Sequence, residues 1–276
     1  MSCTEHQEEN LSKAAAGVTA AAAQGAQIVC LSELFRSRYF CQTEDKRFFA
    51  LAESIPGPTT EQLSQLAKKN KVVLIASLFE KDVSPPLYYN TNVFFDERGE
   101  MVGKYRKLHI PDDLKNHYGE AYYFQPGNLG LPVIETRYGK IGALVCWDQW
   151  YPEGARQLAL KGAEIIFYPT AIGYPVDGRG GVTPPSLNQA EHEAWQTIQK
   201  SHAIANGVFV AAVNRVGVED HLNFWGTSFV ADPLGRVLQK ASEDKEETLV
   251  VDCDLGLIDE VRADWPFLQC RRVDVY

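Results

Sequence analysis

The sequence predicts a single α/β domain, spanning residues 1–276, in which helices cover layered sheets of mixed strand direction. Helix-like and strand-like segments alternate along the chain. Several strand-like segments are continuous apolar runs, which is typical of strands that are covered on both faces. Short turns containing glycine join other strands into hairpins. We found no internal repeat or linker that would divide the chain further.

The elements follow from local patterns. An alanine-rich stretch at residues 8–24, which stops before Gly25, predicts the first helix. Further helices are predicted at residues 59–70, 152–161, 188–206 and 255–263. Strands are predicted at residues 27–31, 72–79, 90–95, 101–105, 133–136, 140–145, 164–168, 208–214, 227–231, 236–240 and 248–253.

Composition argues against several classes of protein. The formal charge is −9 and basic runs are no longer than two residues, which disfavours nucleic acid and anionic membranes as partners. No apolar run reaches the roughly 20 residues of a membrane span. The polar, acidic start lacks the features of a secretory signal, so we expect a cytoplasmic protein. None of the six cysteines forms a CxxC pair, so we expect no metal site.

Cys146 is the cysteine best placed for chemistry. It ends the apolar segment KIGALVC and precedes WDQWYPE and a predicted helix. A strand-to-helix turn puts a side chain beside backbone N–H groups, which lower a thiol pKa and can hold an oxyanion. The alternative is a buried cysteine that only packs, which is the commoner role of a free cysteine.

Three charged residues also lie near strand ends or in aromatic surroundings. Glu33, in LSELF, could act as a general base. Lys107, in KYRKLHIP, could stabilise a thiolate or an oxyanion. Glu120, in HYGEAYYFQPG, is crowded by aromatic residues that would raise its pKa. The alternatives are that Glu33 is a surface glutamate, that Lys107 belongs to a solvated basic edge strand, and that Glu120 is an exposed loop acid. No single residue decides between a functional and a structural role.

In their combination and order these residues resemble the nitrilase superfamily of carbon–nitrogen hydrolases. The segments that carry the resemblance span almost the whole chain: LSELF, KYRKLHIP, YYFQPG, KIGALVCWDQWYPE and GAEIIFYPTA. The resemblance implies a four-layer α-β-β-α sandwich with Glu33 as base, Lys107 as oxyanion partner, Cys146 as nucleophile and Glu120 as an orienting acid. It implies no cofactor, and a homo-oligomer in which residues 265–276 could form part of the interface.

The segment CWDQWYPE, with SELFRSRYF, IPDD and FYPTAIG, is similar to the members of this family that hydrolyse N-carbamoylputrescine. Relatives acting on N-carbamoyl amino acids tend to carry an arginine after the cysteine, where this chain has DQW. A substrate with an amine tail is therefore expected. The residues expected to bind this small molecule are Trp147, Asp148, Tyr39, Tyr123 and Thr170. The acids that could bind the amine are Asp148, Asp177, Glu191 and Glu193.

Other functions stay open at this point. The chain could be an ω-amidase, an aliphatic amidase or an N-carbamoyl amino acid hydrolase, or a non-catalytic protein on the same fold.

Two features depart from the family. The family begins with a strand ahead of the first helix, whereas MSCT resembles only the end of one, so we expect a truncated first strand and unpaired backbone on its neighbours. The loop at residues 174–187 also differs, and we expect it to frame the substrate tail.

Overall fold

The computed structural model describes residues 1–83, 85–176 and 185–275. The helices are α1 (Gln7–Ala23), α2 (Pro58–Asn70), α3 (Pro152–Leu160), α4 (Pro185–Asn206) and α5 (Gly256–Asp264). The strands are β1 (Ile28–Cys30), β2 (Val73–Asp82), β3 (Leu87–Phe95), β4 (Met101–Arg106), β5 (Asp112–Asp113), β6 (Tyr118–Gly119), β7 (Ile134–Thr136), β8 (Gly139–Ala143), β9 (Ile165–Pro169), β10 (Gly173–Pro175), β11 (Phe209–Val213), β12 (Val216–Glu219), β13 (Leu222–Trp225), β14 (Phe229–Ala231) and β15 (Val237–Lys240).

Two mixed sheets form the centre of the fold. The first has the order β1-β2-β3-β4, with β1 parallel to β2 and the other pairs antiparallel. The second has the order β15-β14-β11-β9-β8-β7, with parallel pairing at β11–β9 and β9–β8. All three hairpins predicted around glycine turns, β3–β4, β7–β8 and β14–β15, are present and pair antiparallel.

The layers are helix, sheet, sheet and helix, as predicted. Alternate residues of β2 belong to two different hydrophobic cores, because successive side chains of a strand point to opposite faces. Leu74 packs with Val18 of α1 and Leu63 of α2. Val73 packs in the other core, which lies between the sheets and extends to residues of α3 and α4 such as Trp195. The α-β-β-α sandwich is therefore confirmed.

Two small sheets were not predicted. One pairs β5 with β6, and the other has the order β10-β13-β12. Their strands are two to four residues long, which is too short for an alternating pattern to be recognised. No helix within the described ranges is both long enough and apolar enough to cross a membrane.

The predicted last strand, at residues 248–253, is wrong. This apolar segment runs without regular structure and pairs with no strand in the part of the chain that is described. Apolar, β-branched residues favour a strand, but a strand forms only where a neighbour can accept its backbone hydrogen bonds. Of the loop at residues 174–187, residues 177–184 lie outside the described ranges, so the prediction for Asp177 does too.

Candidate active site

Segments that follow three strands converge at one end of the two central sheets. Glu33 follows β1, Lys107 directly follows β4, and Cys146 follows β8. Their side chains, with that of Glu120, are buried, and each is at most 4% exposed. The structure thus brings together the four residues that the sequence singled out. A cluster of aromatic side chains, including Phe40, lies alongside.

The ammonium of Lys107 is the centre of the cluster. Its Nζ donates to Oε1 of Glu33 at 2.9 Å and to Oε1 and Oε2 of Glu120 at 2.9 and 2.7 Å. Burial alone would lower the pKa of Lys107, but the charges of Glu120 and Glu33 raise it well above its usual value. The amine is therefore held as a cation, which is the form that can stabilise a developing oxyanion.

Glu33 has one oxygen engaged and one unpaired. Its Oε1 accepts from Asn90 Nδ2 at 2.7 Å as well as from Lys107. Its Oε2 is buried and has no hydrogen-bond partner among the described residues. A buried carboxylate oxygen without a partner is unfavourable in a purely structural role, because such a group is normally satisfied. Here it is available to accept a proton.

Cys146 is the first residue of a short 3-10 helix, Cys146–Trp150. Its backbone has a φ of 42°, in the left-handed region that side chains other than glycine rarely occupy, and such strain clusters at functional sites. Its Sγ lies 3.8 Å from the carbonyl oxygen of Ala171. Burial raises the thiol pKa, Glu33 raises it further, and Lys107 opposes both. The resting sulfur is a neutral thiol and needs a base.

Glu120 titrates near neutrality. Burial raises its pKa to about 7, while Lys107 opposes the rise and Glu33 adds to it. Tyr39 donates to Oε1 of Glu120 at 2.7 Å. Glu120 therefore fixes the position of the Lys107 ammonium.

The assignment of Asp148 to substrate binding needs correction. Its Oδ2 accepts from Tyr105 Oη at 2.7 Å and from the backbone N–H of Val145 at 2.9 Å. Its Oδ1 accepts from the backbone N–H of His109 at 3.0 Å and lies 2.7 Å from His109 Nδ1. Four partners occupy the carboxylate, so it has no capacity left for a ligand. It ties the turn that carries Cys146 to the segment that carries Lys107.

Three other predicted substrate contacts are also engaged inside the protein. The hydroxyl of Tyr123 donates to the carbonyl of Thr43 and accepts from the N–H of Asp45. The hydroxyl of Thr170 donates to the carbonyl of Tyr168 at 2.9 Å. Tyr39 has its hydroxyl on Glu120. These three side chains support the site instead of presenting free polar atoms to a ligand.

Trp147, the fifth predicted substrate contact, is different. It keeps partial exposure and packs edge-to-face against Trp150. Its indole therefore remains available at the edge of the cysteine turn.

Gln149 is a functional residue that sequence reasoning missed. Its buried Oε1 accepts from Trp195 Nε1 and Gln199 Nε2, each at 2.9 Å. Its carbonyl oxygen lies 2.8 Å from His202 Nε2. These bonds attach the cysteine turn to α4. The signal in the sequence was weak, because Gln149 is one of two adjacent polar residues, with Asp148, between Trp147 and Trp150.

Arg215 is a second residue that was missed. Its guanidinium is fully buried, forms an ion pair with Glu219 at 2.7 Å, and donates to the carbonyls of Glu33, Leu34 and Ser37. It thereby fixes the loop that presents Glu33, including the left-handed residue Leu34. No sequence pattern pointed to it, because the carbonyl groups that it binds lie about 180 residues away.

Two acidic residues, Glu191 and Asp113, interact electrostatically near Tyr118. Tyr118 bonds to the backbone of Gly173, and both Cys146 and Glu191 act on its hydroxyl electrostatically. Partial burial raises the pKa of Glu191, and Asp113 raises it further. Within the described ranges, no group of three or more histidine, cysteine, aspartate or glutamate side chains has the arrangement of a metal site.

Comparisons with known proteins identify the family of this chain. A family model for carbon-nitrogen hydrolases matches residues 2–263. The N-carbamoylputrescine amidase of Solanum lycopersicum is 40% identical over 283 residues, covering 99% of this chain and 90% of that protein. The citrullinase of Francisella tularensis subsp. tularensis is 37% identical over 281 residues, covering 100% of this chain and 94% of that protein.

A solved structure of a carbon-nitrogen hydrolase from Helicobacter pylori G27 is also similar. It matches with a TM-score of 0.93 at 44% identity, covering 100% of this chain and 94% of that one. Sequence and fold point to the same family over nearly the full length. The chain therefore belongs to the carbon–nitrogen hydrolase family of the nitrilase superfamily, and it is a hydrolase of carbon–nitrogen bonds other than peptide bonds.

Proposed function

We propose that this protein is a cysteine-dependent amidohydrolase that converts N-carbamoylputrescine to putrescine, carbon dioxide and ammonia. The observation that carries the chemistry is the buried Lys107 ammonium between two carboxylates, with an unpaired oxygen of Glu33 in the same cluster as the Cys146 thiol. The names of two relatives, an N-carbamoylputrescine amidase and a citrullinase, support a ureido substrate. Both named substrates end in a carbamoyl group on nitrogen.

The first half-reaction forms a covalent intermediate. Oε2 of Glu33 takes the proton of the neutral Cys146 thiol, and the thiolate attacks the carbamoyl carbon. The Lys107 ammonium and the backbone N–H of Trp147 stabilise the oxyanion. Glu33 returns the proton to the terminal nitrogen, the C–N bond breaks, and ammonia leaves. The product is a thiocarbamate between Cys146 and the substrate's inner nitrogen.

The second half-reaction releases the enzyme. Glu33 takes a proton from water, and the resulting hydroxide attacks the thiocarbamate carbon. The C–S bond breaks and the sulfur of Cys146 recovers a proton. The carbamic acid that leaves decomposes to the free amine and carbon dioxide. One water is consumed over the cycle, and Lys107 stabilises the same oxygen in both steps.

Glu191 and Asp113 are the acids best suited to bind the amine tail. Of the four candidates from the sequence, Asp148 has no free oxygen and Asp177 lies outside the described residues. Glu191 and Glu193 are both exposed, but Glu193 already accepts from Gln189 on the same helix. Glu191 acts on Tyr118, which also interacts with Cys146, and Asp113 adds a second negative charge. A cationic tail would relieve the repulsion between the two acids.

The substrate assignment is tested by turnover with matched ureido compounds. We expect the highest kcat/KM for N-carbamoylputrescine, followed through both ammonia and putrescine. N-butylurea has the same reacting end and no amine, so it isolates the contribution of the tail. A preference for citrulline would shift the assignment to a citrullinase, and a preference for simple aliphatic amides would overturn it.

The tail site is tested by one variant and a control on the same helix. Glu191→Gln should raise KM for N-carbamoylputrescine by about tenfold or more, the usual effect of losing one charged hydrogen bond, and leave N-butylurea unchanged. Glu193→Gln should leave both substrates unchanged. Equal effects of Glu191→Gln on both substrates would refute charge recognition.

The covalent mechanism is tested at the sulfur and the base. Cys146→Ala and Glu33→Gln should each lower kcat by at least about 10³-fold, since losing any member of a triad leaves only binding and oxyanion stabilisation. Mass spectrometry of the wild type quenched during turnover should detect the thiocarbamate adduct on Cys146. A Cys146→Ala protein that is folded and turns over normally would end the proposal.

A further inference from the structure

Two polar side chains, to which the proposed mechanism gives no role, tie the loop that carries Glu33 to the first sheet. Ser77 lies on β2 and Asn90 on β3, and both are fully buried. The backbone N–H of Leu34 donates to Oγ of Ser77 at 3.0 Å. Ser77 donates to Oδ1 of Asn90 at 2.9 Å, and Nδ2 of Asn90 donates to Oε1 of Glu33 at 2.7 Å. The hydrogen bonds therefore leave the loop at Leu34 and return to it at Glu33, which closes a circuit.

The direction of the bonds in this circuit is fixed. The N–H of Leu34 can only donate, so it uses an acceptor site of the Ser77 hydroxyl and leaves the hydroxyl proton for Asn90. A reversed amide would also set the oxygen of Asn90 against an oxygen of Glu33, and two acceptors repel each other. The amide nitrogen of Asn90 therefore faces Glu33, although the two ends of an amide have nearly the same shape.

The circuit determines where Glu33 can carry a proton. Its Oε1 receives hydrogen bonds from Asn90 and from the Lys107 ammonium, and both of these groups only donate. A proton on Oε1 would therefore compete with two donors for the same oxygen. Oε2 has no hydrogen-bond partner within the described ranges, so a proton meets no such competition there.

Asn90 also contacts the residue that supplies the ammonium. Its backbone carbonyl accepts from the backbone N–H of Lys107 at 2.8 Å, so one residue holds the base through its side chain and the lysine through its main chain. We propose that Asn90 and Ser77 are positioning residues that confine the mobile proton of Glu33 to Oε2. This inference rests on the proposed role of Glu33 as the base that takes the proton of Cys146.

The role of Asn90 is tested against Asn92, which lies two residues further along the same face of β3. Asn92 is also fully buried, but neither polar atom of its side chain has a hydrogen-bond partner among the described residues. Asn90→Leu should lower kcat by about 10- to 100-fold, the effect of losing one hydrogen bond to a charged group, and keep KM within about threefold. Asn92→Leu should change neither constant by more than about threefold.

Two further variants keep the test decisive if Asn90→Leu does not fold. Asn90→Asp has the same size but places an acceptor against Oε1 of Glu33, so it should be no more active than Asn90→Leu. Ser77→Ala frees the amide of Asn90 to reverse and should also lower kcat. Ser32→Ala is its control and should keep wild-type kcat, because the buried hydroxyl of Ser32 has no partner in the described parts of the chain.

Alkylation of Cys146 by iodoacetamide, located by mass spectrometry, gives a readout that needs no substrate. The thiolate is the reactive form, so Asn90→Leu and Glu33→Gln should each slow the alkylation by at least about tenfold. A less stable Asn90→Leu protein with normal kcat and normal alkylation would overturn the inference, because its role would be structural. Equal losses in Asn90→Leu and Asn92→Leu would overturn it as well.

Glu33→Gln separates this inference from the proposed function. Normal turnover and normal alkylation in Glu33→Gln would contradict the proposed mechanism itself. Slow alkylation in Glu33→Gln, together with normal alkylation in Asn90→Leu and Ser77→Ala, would leave the base in place and overturn only the positioning role of Asn90 and Ser77.

Discussion

At the scale of single residues, the site depends on two carboxylates that share one ammonium. Glu33 keeps one oxygen free, whereas both oxygens of Glu120 bond to Lys107. The two acids therefore have different tasks, although each lies beside the same cation. Glu33 can move a proton during the reaction, and Glu120 fixes the charge and position of Lys107.

Activity should rise with pH through about 7, because burial raises the pKa of Glu120 to that value and its ionised form holds Lys107. Stability should change in the opposite direction. The folded protein keeps this proton to about pH 7, whereas the unfolded chain releases it near 4.5, so the free energy of unfolding falls as pH rises between the two values. Kinetics and denaturant unfolding between pH 5 and about 8 measure both trends.

Glu120→Gln provides the comparison, because its amide has a similar shape and does not titrate. We expect this variant to lose most activity and to lack both pH trends near 7. If it retained the same activity profile as the wild type, another group of the cluster would be titrating, since coupled acids share their apparent pKa values.

Asp148 acts through other residues, so its replacement should affect the chemical step. Asp148→Asn keeps the size of the side chain but replaces one acceptor oxygen with an amide donor, which faces the donors of Tyr105 and Val145 or of His109. A shift of the cysteine turn by an ångström costs about 10²-fold in rate. We expect kcat to fall by roughly that factor with KM within about threefold.

A structural role alone would predict a different result for Asp148→Asn. In that case thermal stability would fall while kcat, measured well below the unfolding temperature, stayed normal. Labelling of Cys146 by iodoacetamide gives an independent readout, and its rate should change in the variant because the thiol has moved relative to Lys107.

At the scale of elements, the two halves of the site are held by buried contacts between distant segments. Arg215, just before β12, binds the loop after β1 through three carbonyls and forms an ion pair with Glu219. Arg215→Lys should destabilise the protein by about 3 kcal/mol, because an ammonium cannot reproduce the planar donor set and leaves buried acceptors unpaired. Urea unfolding measures this loss.

Arg38→Lys is the matched control for Arg215→Lys. Arg38 forms an ion pair with Asp220 at 3.0 Å, and both side chains are more than 40% exposed. Exposed pairs contribute about 0.5 kcal/mol, so this variant should unfold almost like the wild type. Equal losses in the two variants would mean that the buried position of Arg215 has no special energetic role.

The sequence predicted those site residues whose positions follow from the strands directly before them. Cys146 and Glu33 follow continuous apolar strands, and such strands end at the edge of a sheet where ligands bind. The sequence could not predict Arg215 or Asn90, because their partners are brought together only by packing across the fold. The sequence could not predict the contacts of Asp148 for the same reason, since its four bonds come from β4 and from the segments after β4 and β8.

The main strands and helices were predictable because each carries its own hydrophobic pattern. Residues 248–253 show the limit of that argument. Their composition favours a strand as strongly as that of 208–214, which forms β11 between β9 and β14. The difference is the presence of a neighbour with free backbone groups, a property of the assembled sheet and not of the segment.

At the scale of the whole molecule, the resemblance to the family predicts a homo-oligomer, and the C-terminal segment has a suitable surface. Trp265 and Phe267 stack with ring centroids 5.7 Å apart, and each is nearly half exposed. Val273 and Val275 of the same segment are more than 60% exposed. Clustered apolar side chains on a surface mark interaction sites, whereas scattered ones do not. We therefore predict that residues 265–275 pack against a second copy of the chain.

The combined variant Trp265→Asp and Phe267→Asp should shift the protein from dimer or larger assembly to monomer, measured by size-exclusion chromatography with light scattering. Each aspartate would place a charge where apolar area is buried, which opposes association strongly. Leu129→Asp is the control, because Leu129 is comparably exposed but lies outside this segment. A monomeric wild type would contradict the prediction, and so would an assembly that the double variant leaves intact.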